Sequence, residues 1–202
     1  RLPKIAREDK KEIILNGNQQ TILDVFRHDY EEGCCENYLL HGVTGSGKTE
    51  VYMGMLENVL NSGKQAIVLI PEIALTFQTV MRFYGRFGDK VSVIHSKMSA
   101  GERYDQWKRI RTGDARVIVG TRSAVFAPSA DLGVIIIDEE QEHSYRSENT
   151  PRYDAREVAL WRGWKENCLV LLGSATPSVE SMYRAKSGQY QLYRLEERYN
   201  GR

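Results

Sequence analysis

The sequence predicts an α/β domain: a mainly parallel sheet with helices on both faces, three layers in all. Two observations carry that expectation. First, short apolar runs alternate with helical patterns. Residues 66–70, 116–120, 133–138 and 169–173 are nearly continuous in Val, Ile and Leu, as strands covered on both faces are. Second, Gly42-Val43-Thr44-Gly45-Ser46-Gly47-Lys48-Thr49 fits G-x-x-x-x-G-K-[ST], the phosphate-binding P-loop, which needs a strand before it and a helix after it. Alternating strands and helices imply right-handed crossovers, with ligands at the carboxyl ends of the strands.

The elements follow in order. Ile22, Val25 and Phe26 give one apolar face to a first helix. Tyr38-Leu39-Leu40-His41 is the strand before the P-loop, and Tyr52, Met55, Leu56 and Val59 repeat at i, i+3, i+4, i+7 after it. Asn61-Ser62-Gly63 stops that helix. Strand 66–70 ends at Pro71-Glu72, from which a helix is expected to run to about Phe87. Residues 91–95 form a strand, and Ser99-Ala100-Gly101-Glu102 resembles a capping box opening a helix to about Thr112. Strands 116–120 and 133–138, helix 154–165, strand 169–173 and helix 178–186 complete the alternation.

The P-loop spacing has a physical reason. Glycines let successive N–H groups turn toward one anion. A helix opening near Gly47 adds its partly positive N-terminus. Lys48 supplies charge to the β- and γ-phosphates, and Thr49 a hydroxyl to Mg²⁺. Gly42, Thr44, Gly45, Ser46, Gly47, Lys48 and Thr49 are therefore the expected nucleotide-binding residues. Gln19 joins them as a candidate for the adenine edge, because an amide donates and accepts together. Strand 133–138 ends in Asp138-Glu139. Asp138 is expected to hold Mg²⁺, and Glu139 to polarise the attacking water.

Asp138-Glu139-Glu140-Gln141 resembles the D-E-x-x box of superfamily two helicases and translocases. Gly173-Ser174-Ala175-Thr176-Pro177 resembles their S-A-T motif, carried in that superfamily on the strand between the P-loop and D-E-x-x strands. Pro71-Glu72-Ile73-Ala74-Leu75-Thr76 and Gly120-Thr121-Arg122-Ser123-Ala124 resemble their two DNA-backbone motifs. The wording is closer still to the PriA family of bacterial replication-restart helicases. It includes Leu15-Asn16 with Gln19, His95-Ser96 with Glu102-Arg103 and Trp107, Phe126-Ala127-Pro128, Ser144-Tyr145, and Arg152-Tyr153 with Ala155-Arg156.

That resemblance implies a RecA-like P-loop NTPase lobe over residues 15–202, with 1–14 a linker or remnant of a preceding domain. It implies the ATP-binding lobe of a DNA-dependent ATPase and 3′→5′ helicase acting in replication restart and primosome assembly. The cofactors are then ATP and Mg²⁺. The partners are single-stranded or forked DNA, a second lobe of the same protein, single-strand-binding protein and helicase loaders. Pro71, Thr76, Thr121, Arg122, Tyr145, Tyr153, Ser174 and Thr176 become candidates for DNA binding or coupling. The family usually reads D-E-E-H; here Gln141 stands at the histidine position, with an amide able to make two hydrogen bonds. His143, Tyr145 and Tyr153 follow in an aromatic loop, either stacking on bases or packing onto the domain. RecG-like and transcription-repair-coupling translocases share D-E-E-Q, and a nucleotide-gated fork-binding scaffold is a second alternative.

Composition narrows the field. The net charge is +1, there is no apolar run of membrane-spanning length, and residues 1–4 lack a signal-peptide character. Cys34, Cys35 and Cys168 do not have zinc spacing, so no zinc and a reduced, cytoplasmic environment are expected. The chain also lacks an initiator Met, as an excised lobe would, and a monomer is expected. Such a lobe, without the arginine a second lobe provides, is expected to be nearly inactive alone. Residues 82–122 hold ten Lys/Arg against four Asp/Glu, whereas 138–157 hold seven acids against three Arg. A backbone-binding face beside an acidic metal site would have that charge pattern.

Overall fold

The structure is a computed structural model and describes residues 15–34 and 36–196. The expected linker 1–14, Cys35 and residues 197–202 lie outside the described residues. Seven strands form one parallel sheet in the order β3-β4-β2-β5-β6-β1-β7. They are β1 (Asn37–Gly42), β2 (Gln65–Leu69), β3 (Val91–Ile94), β4 (Val117–Gly120), β5 (Leu132–Ile137), β6 (Leu169–Ser174) and β7 (Gln191–Leu195). The helices are α1 (Gly17–Glu31), α2 (Lys48–Asn61), α3 (Phe77–Phe87), α4 (Ala100–Arg111), α5 (Ala155–Glu166) and α6 (Val179–Lys186).

Alternation along the strands divides the core in two. Leu40, Val68, Val119, Ile136 and Leu171 pack on one face with Phe26, Tyr52, Leu56 and Val59 of α1 and α2. Leu39, Ile67, Ile118, Ile135 and Leu172 pack on the other with Ile110 of α4 and Ala155 and Ala159 of α5. Every residue of β2, β4, β5 and β6 is buried, which is why these strands read as unbroken apolar runs. Ile137 pairs with Leu172, and Leu172 with Leu39, so the carboxyl ends of β5, β6 and β1 lie side by side. The S-A-T strand is thus between the P-loop and D-E-x-x strands.

Two elements differ from the sequence reading. Residues 71–76 are a turn, not the start of a helix: the N–H groups of Ala74 and Leu75 both donate to the Pro71 carbonyl. Thr76 then caps α3 by accepting from the Thr79 N–H, which delays the helix to Phe77. β7 was not anticipated. It is an edge strand with only Leu195 buried, and Arg194 interrupts its apolar residues Leu192, Tyr193 and Leu195, so it writes no continuous run.

Gly173 has a steric reason. A Cβ there would lie 1.8 Å from the Tyr52 hydroxyl and 2.9 Å from its ring carbon Cζ. Gly173→Ala is expected to cost about 1–3 kcal/mol by overpacking. Tyr52→Phe should relieve part of that cost, giving a favourable coupling in a urea-denaturation double-mutant cycle. Additive effects would show that the contact is not what excludes a side chain.

Candidate active site

The P-loop lies between β1 and α2, with Gly45 at φ +80° and Gly47 at φ +81°. Those left-handed backbones are open to glycine and costly for other residues. Gly47 is the N-cap of α2 and brings no side-chain cap, so the first N–H groups of the helix face the loop's hollow. The space is tight on the strand side: a Cβ on Gly42 would meet Ser46 Oγ at 2.5 Å and Lys48 Cγ at 2.9 Å. Ser46 Oγ is buried and has no hydrogen-bond partner among the described residues. An uncapped helix, an unpartnered hydroxyl and a lysine together suit a polyphosphate. Lys48 Nζ donates to the Gly42 carbonyl at 3.0 Å and lies 3.5 Å from a Glu139 carboxylate oxygen.

Gln19 is fully buried behind this loop. Its amide nitrogen donates to the Ser46 carbonyl at 3.0 Å, and its oxygen accepts from the Asn16 N–H at 2.9 Å. In this structure the amide is therefore spent on the loop and on the cap of α1, not left open for an adenine edge.

Asp138 follows directly on β5, and its N–H donates to the Leu69 carbonyl. Its carboxylate accepts from the Tyr52 hydroxyl at 3.0 Å. Burial, then the neighbouring Glu139 charge, push the Asp138 carboxyl above the ordinary range. A cation held there would offset the cost of keeping it ionised, so the residue fits a Mg²⁺ ligand, and Thr49 at the start of α2 fits the second. Glu139 has φ +47°, which turns its side chain back toward Lys48. The Gln141 amide nitrogen donates to Glu139 at 2.9 Å, and its oxygen accepts from Ser174 Oγ at 2.5 Å. Ser174 Oγ in turn accepts from the Thr176 N–H at 2.9 Å. One hydrogen-bonded line therefore runs from Lys48 through Glu139 and Gln141 to the S-A-T segment.

Sequence reasoning missed two residues. Tyr52 belonged to an apolar stripe, and nothing local marked its hydroxyl as a partner for Asp138. Glu140 stood in a variable position of the box. It is fully buried, and its carboxylate accepts from the Ser178 N–H at 2.6 Å, Ser178 Oγ at 3.1 Å and Ser181 Oγ at 2.9 Å. Ser178 is the N-cap of α6, so Glu140 ties that helix to the tip of β5. Arg156 completes the joint by donating to the Glu140 carbonyl at 2.7 Å.

The DNA candidates divide by exposure. Thr76 and Thr176 face solvent, and Tyr153 is half-buried with its ring edge-on to Phe126 at 4.9 Å. The side chains of Pro71, Thr121, Tyr145 and Ser174 are buried, so direct DNA contact is closed to them here. Tyr145 is not a stacking platform. Its hydroxyl donates to the Leu69 carbonyl at 3.0 Å and the Asp138 carbonyl at 2.5 Å. Arg122 Nη1 donates to the carbonyls of Ser144 and Arg146, at 3.2 and 3.1 Å, so its guanidinium clasps the loop that carries Tyr145.

The family described as DEAD/DEAH box helicase matches residues 16–185. The chain belongs to the DEAD/DEAH box helicase family. It is 52% identical over 188 residues to the replication restart protein PriA of Bacillus subtilis, covering 93% of this chain and 23% of that protein. It is 48% identical over 161 residues to PriA of Haemophilus influenzae, covering 80% of this chain and 22% of the relative. The chain thus spans about a quarter of the length of the curated relatives it matches. Among solved structures it resembles RecG bound to a three-way DNA junction, with a TM-score of 0.69 and 24% identity over 93% of this chain and 24% of that one. The Pyrococcus furiosus Hef helicase domain gives a TM-score of 0.64 and 22% identity, covering 91% of this chain and 38% of the other. These likenesses agree with the RecA-like architecture of the lobe. No described helix is long and apolar enough to cross a membrane.

Removing the Arg122 clasp has a local consequence. Arg122→Ala should raise amide hydrogen exchange across residues 143–146 by about fivefold or more, because two neutral carbonyls lose a charged donor worth about 1.5–3 kcal/mol. Unchanged exchange there would mean that the loop holds itself.

Proposed function

We propose that this DEAD/DEAH box lobe binds and hydrolyses ATP, and passes the state of the nucleotide to single-stranded DNA within a longer 3′→5′ helicase of replication restart. The observation that carries this reading is the line from Lys48 to Ser174, which joins the phosphate loop to the S-A-T segment through Glu139 and Gln141. Lys48 and the open N–H groups of α2 bind the phosphates. Thr49 and Asp138 hold Mg²⁺, which supplies positive charge to the phosphoryl oxygens when bound. Glu139 accepts a hydrogen bond from the attacking water, and Gln141 fixes the direction of that carboxylate. Tyr52 keeps one Asp138 oxygen turned inward. Single-strand-binding protein, loader proteins, a second lobe and a cytoplasmic setting belong to the same proposal, supported by the likeness to PriA relatives.

The test has two parts. Lys48→Ala should weaken ADP or ATP binding by roughly 10–100-fold, the loss of one charge-assisted contact of about 1.5–3 kcal/mol. Equal affinity by calorimetry would end the nucleotide reading. Steady-state phosphate release from the 202-residue chain should be at least about 10³-fold slower than from the DNA-stimulated longer protein, since a transition-state arginine is worth about that much. Glu139→Gln controls for contaminating ATPase. A rate within tenfold of the longer protein, abolished by that substitution, would show that the lobe supplies its own arginine.

A further inference from the structure

The basic segment 82–122 is not one uniform surface. Four of its ten cations are already engaged. Arg82 pairs with Glu50 and Arg86 with Glu57, Arg109 donates to the Val91 and Asp89 carbonyls, and Arg122 clasps the loop. Three of the remaining six lie on α4. Arg103, Lys108 and Arg111 have no acidic partner among the described residues. Tyr104 and Trp107 stand between them, 69% and 41% exposed.

Positions 103, 104, 107, 108 and 111 occupy one side of a helix. The adjoining side, beyond Arg103, is committed to the sheet: Ile110 is buried, and Gln106 accepts from Ser92 Oγ at 2.8 Å. Of the helix's two acids, Glu102 turns back to cap Ser99. Asp105 lies about 160° of helical rotation from Trp107 and about 60° from Lys108, with which it makes no ion pair among the described residues. The end of β3 and the loop from it to α4 also meet both segments resembling DNA-backbone motifs. Ser96 Oγ donates to Glu72 at 2.7 Å, and the Thr121 N–H donates to the Ile94 carbonyl at 3.1 Å.

We infer that the outer face of α4 is a contact track for single-stranded DNA, with Arg103, Lys108 and Arg111 on phosphates and Tyr104 and Trp107 against bases. This rests on the reading of the chain as a DNA-dependent lobe. It names a surface outside the strand-end segments. Cations interleaved with exposed rings fit a single strand better than an acidic peptide, which offers charge without base faces to stack.

The chain has three tryptophans, so Trp161→Phe with Trp164→Phe leaves Trp107 as its sole tryptophan. Both removed rings are exposed, and the fold should tolerate the change. Adding oligothymidylate to this variant should quench Trp107 fluorescence, and sodium polyglutamate at matched charge should not. On that background Lys108→Ala with Arg111→Ala should reduce the slope of log affinity against log salt by about 1.4, two single-strand phosphate contacts. Tyr104→Ala should weaken binding by at least about fivefold at fixed salt, the low end of one base-stacking contact. DNA binding with a silent Trp107 and an unchanged salt slope would overturn this surface while leaving the DNA-dependent reading in place. Equal quenching by polyglutamate would reassign the face to acidic protein. No binding of DNA by the chain at any salt would remove both readings.

Discussion

The amide of Gln141 is the joint on which the proposed chemistry of this lobe depends. It donates to Glu139 and accepts from Ser174 at once, so the loop leaving β5 is fixed to the end of β6. The two meet because β5 and β6 pair in register up to Ile137 and Leu172. An amide does not titrate, so the joint keeps its polarity across physiological pH. A histidine at that place would hold the same two partners only in a particular tautomer and charge state. The replacement thus preserves the connection while removing its sensitivity to protons.

Behind that joint, buried polar groups are satisfied as sets. A fully buried carboxylate is expensive unless several donors meet it, and Glu140 has three from the first turn of α6. Tyr145 spends one hydroxyl on two carbonyls, at the ends of β2 and β5. Arg122 then clasps the loop around Tyr145. Strand tips, α6 and the loop after the box are therefore more nearly one body than four. A displacement of Glu139 would be felt at α6, because its chain neighbour Glu140 is anchored there.

Much of this was legible in the sequence, for identifiable reasons. Fully buried strands write continuous apolar runs, and a phosphate loop writes its glycines at fixed spacing. The five motifs in order carried the resemblance that implied the RecA-like architecture. β7 was silent because its apolar residues are broken by Arg194 and only Leu195 is fully buried. The turn at 71–76 was misread because Thr76, not Pro71, supplies the cap. The larger gap concerns direction. Sequence revealed Arg122, Tyr145 and Gln19 as residue types suited to DNA, bases and adenine, yet all three point inward to backbone carbonyls. Nor could Glu140 and Ser178 be matched in advance, since a contact across 38 positions leaves no local trace.

The left-handed backbone at Glu139 carries a consequence for anyone redesigning this protein. Glycine or asparagine would fit that conformation more comfortably than glutamate does, by about 1 kcal/mol. A selection for heat resistance alone would thus drift toward removing the very carboxylate that faces the phosphate loop. The same residue would be scored as a flaw by a stability criterion and, on the proposed hydrolysis, as indispensable by a functional one. Thermal robustness and turnover are set against each other at a single peptide unit, and a hardened variant of this lobe must find its gain elsewhere.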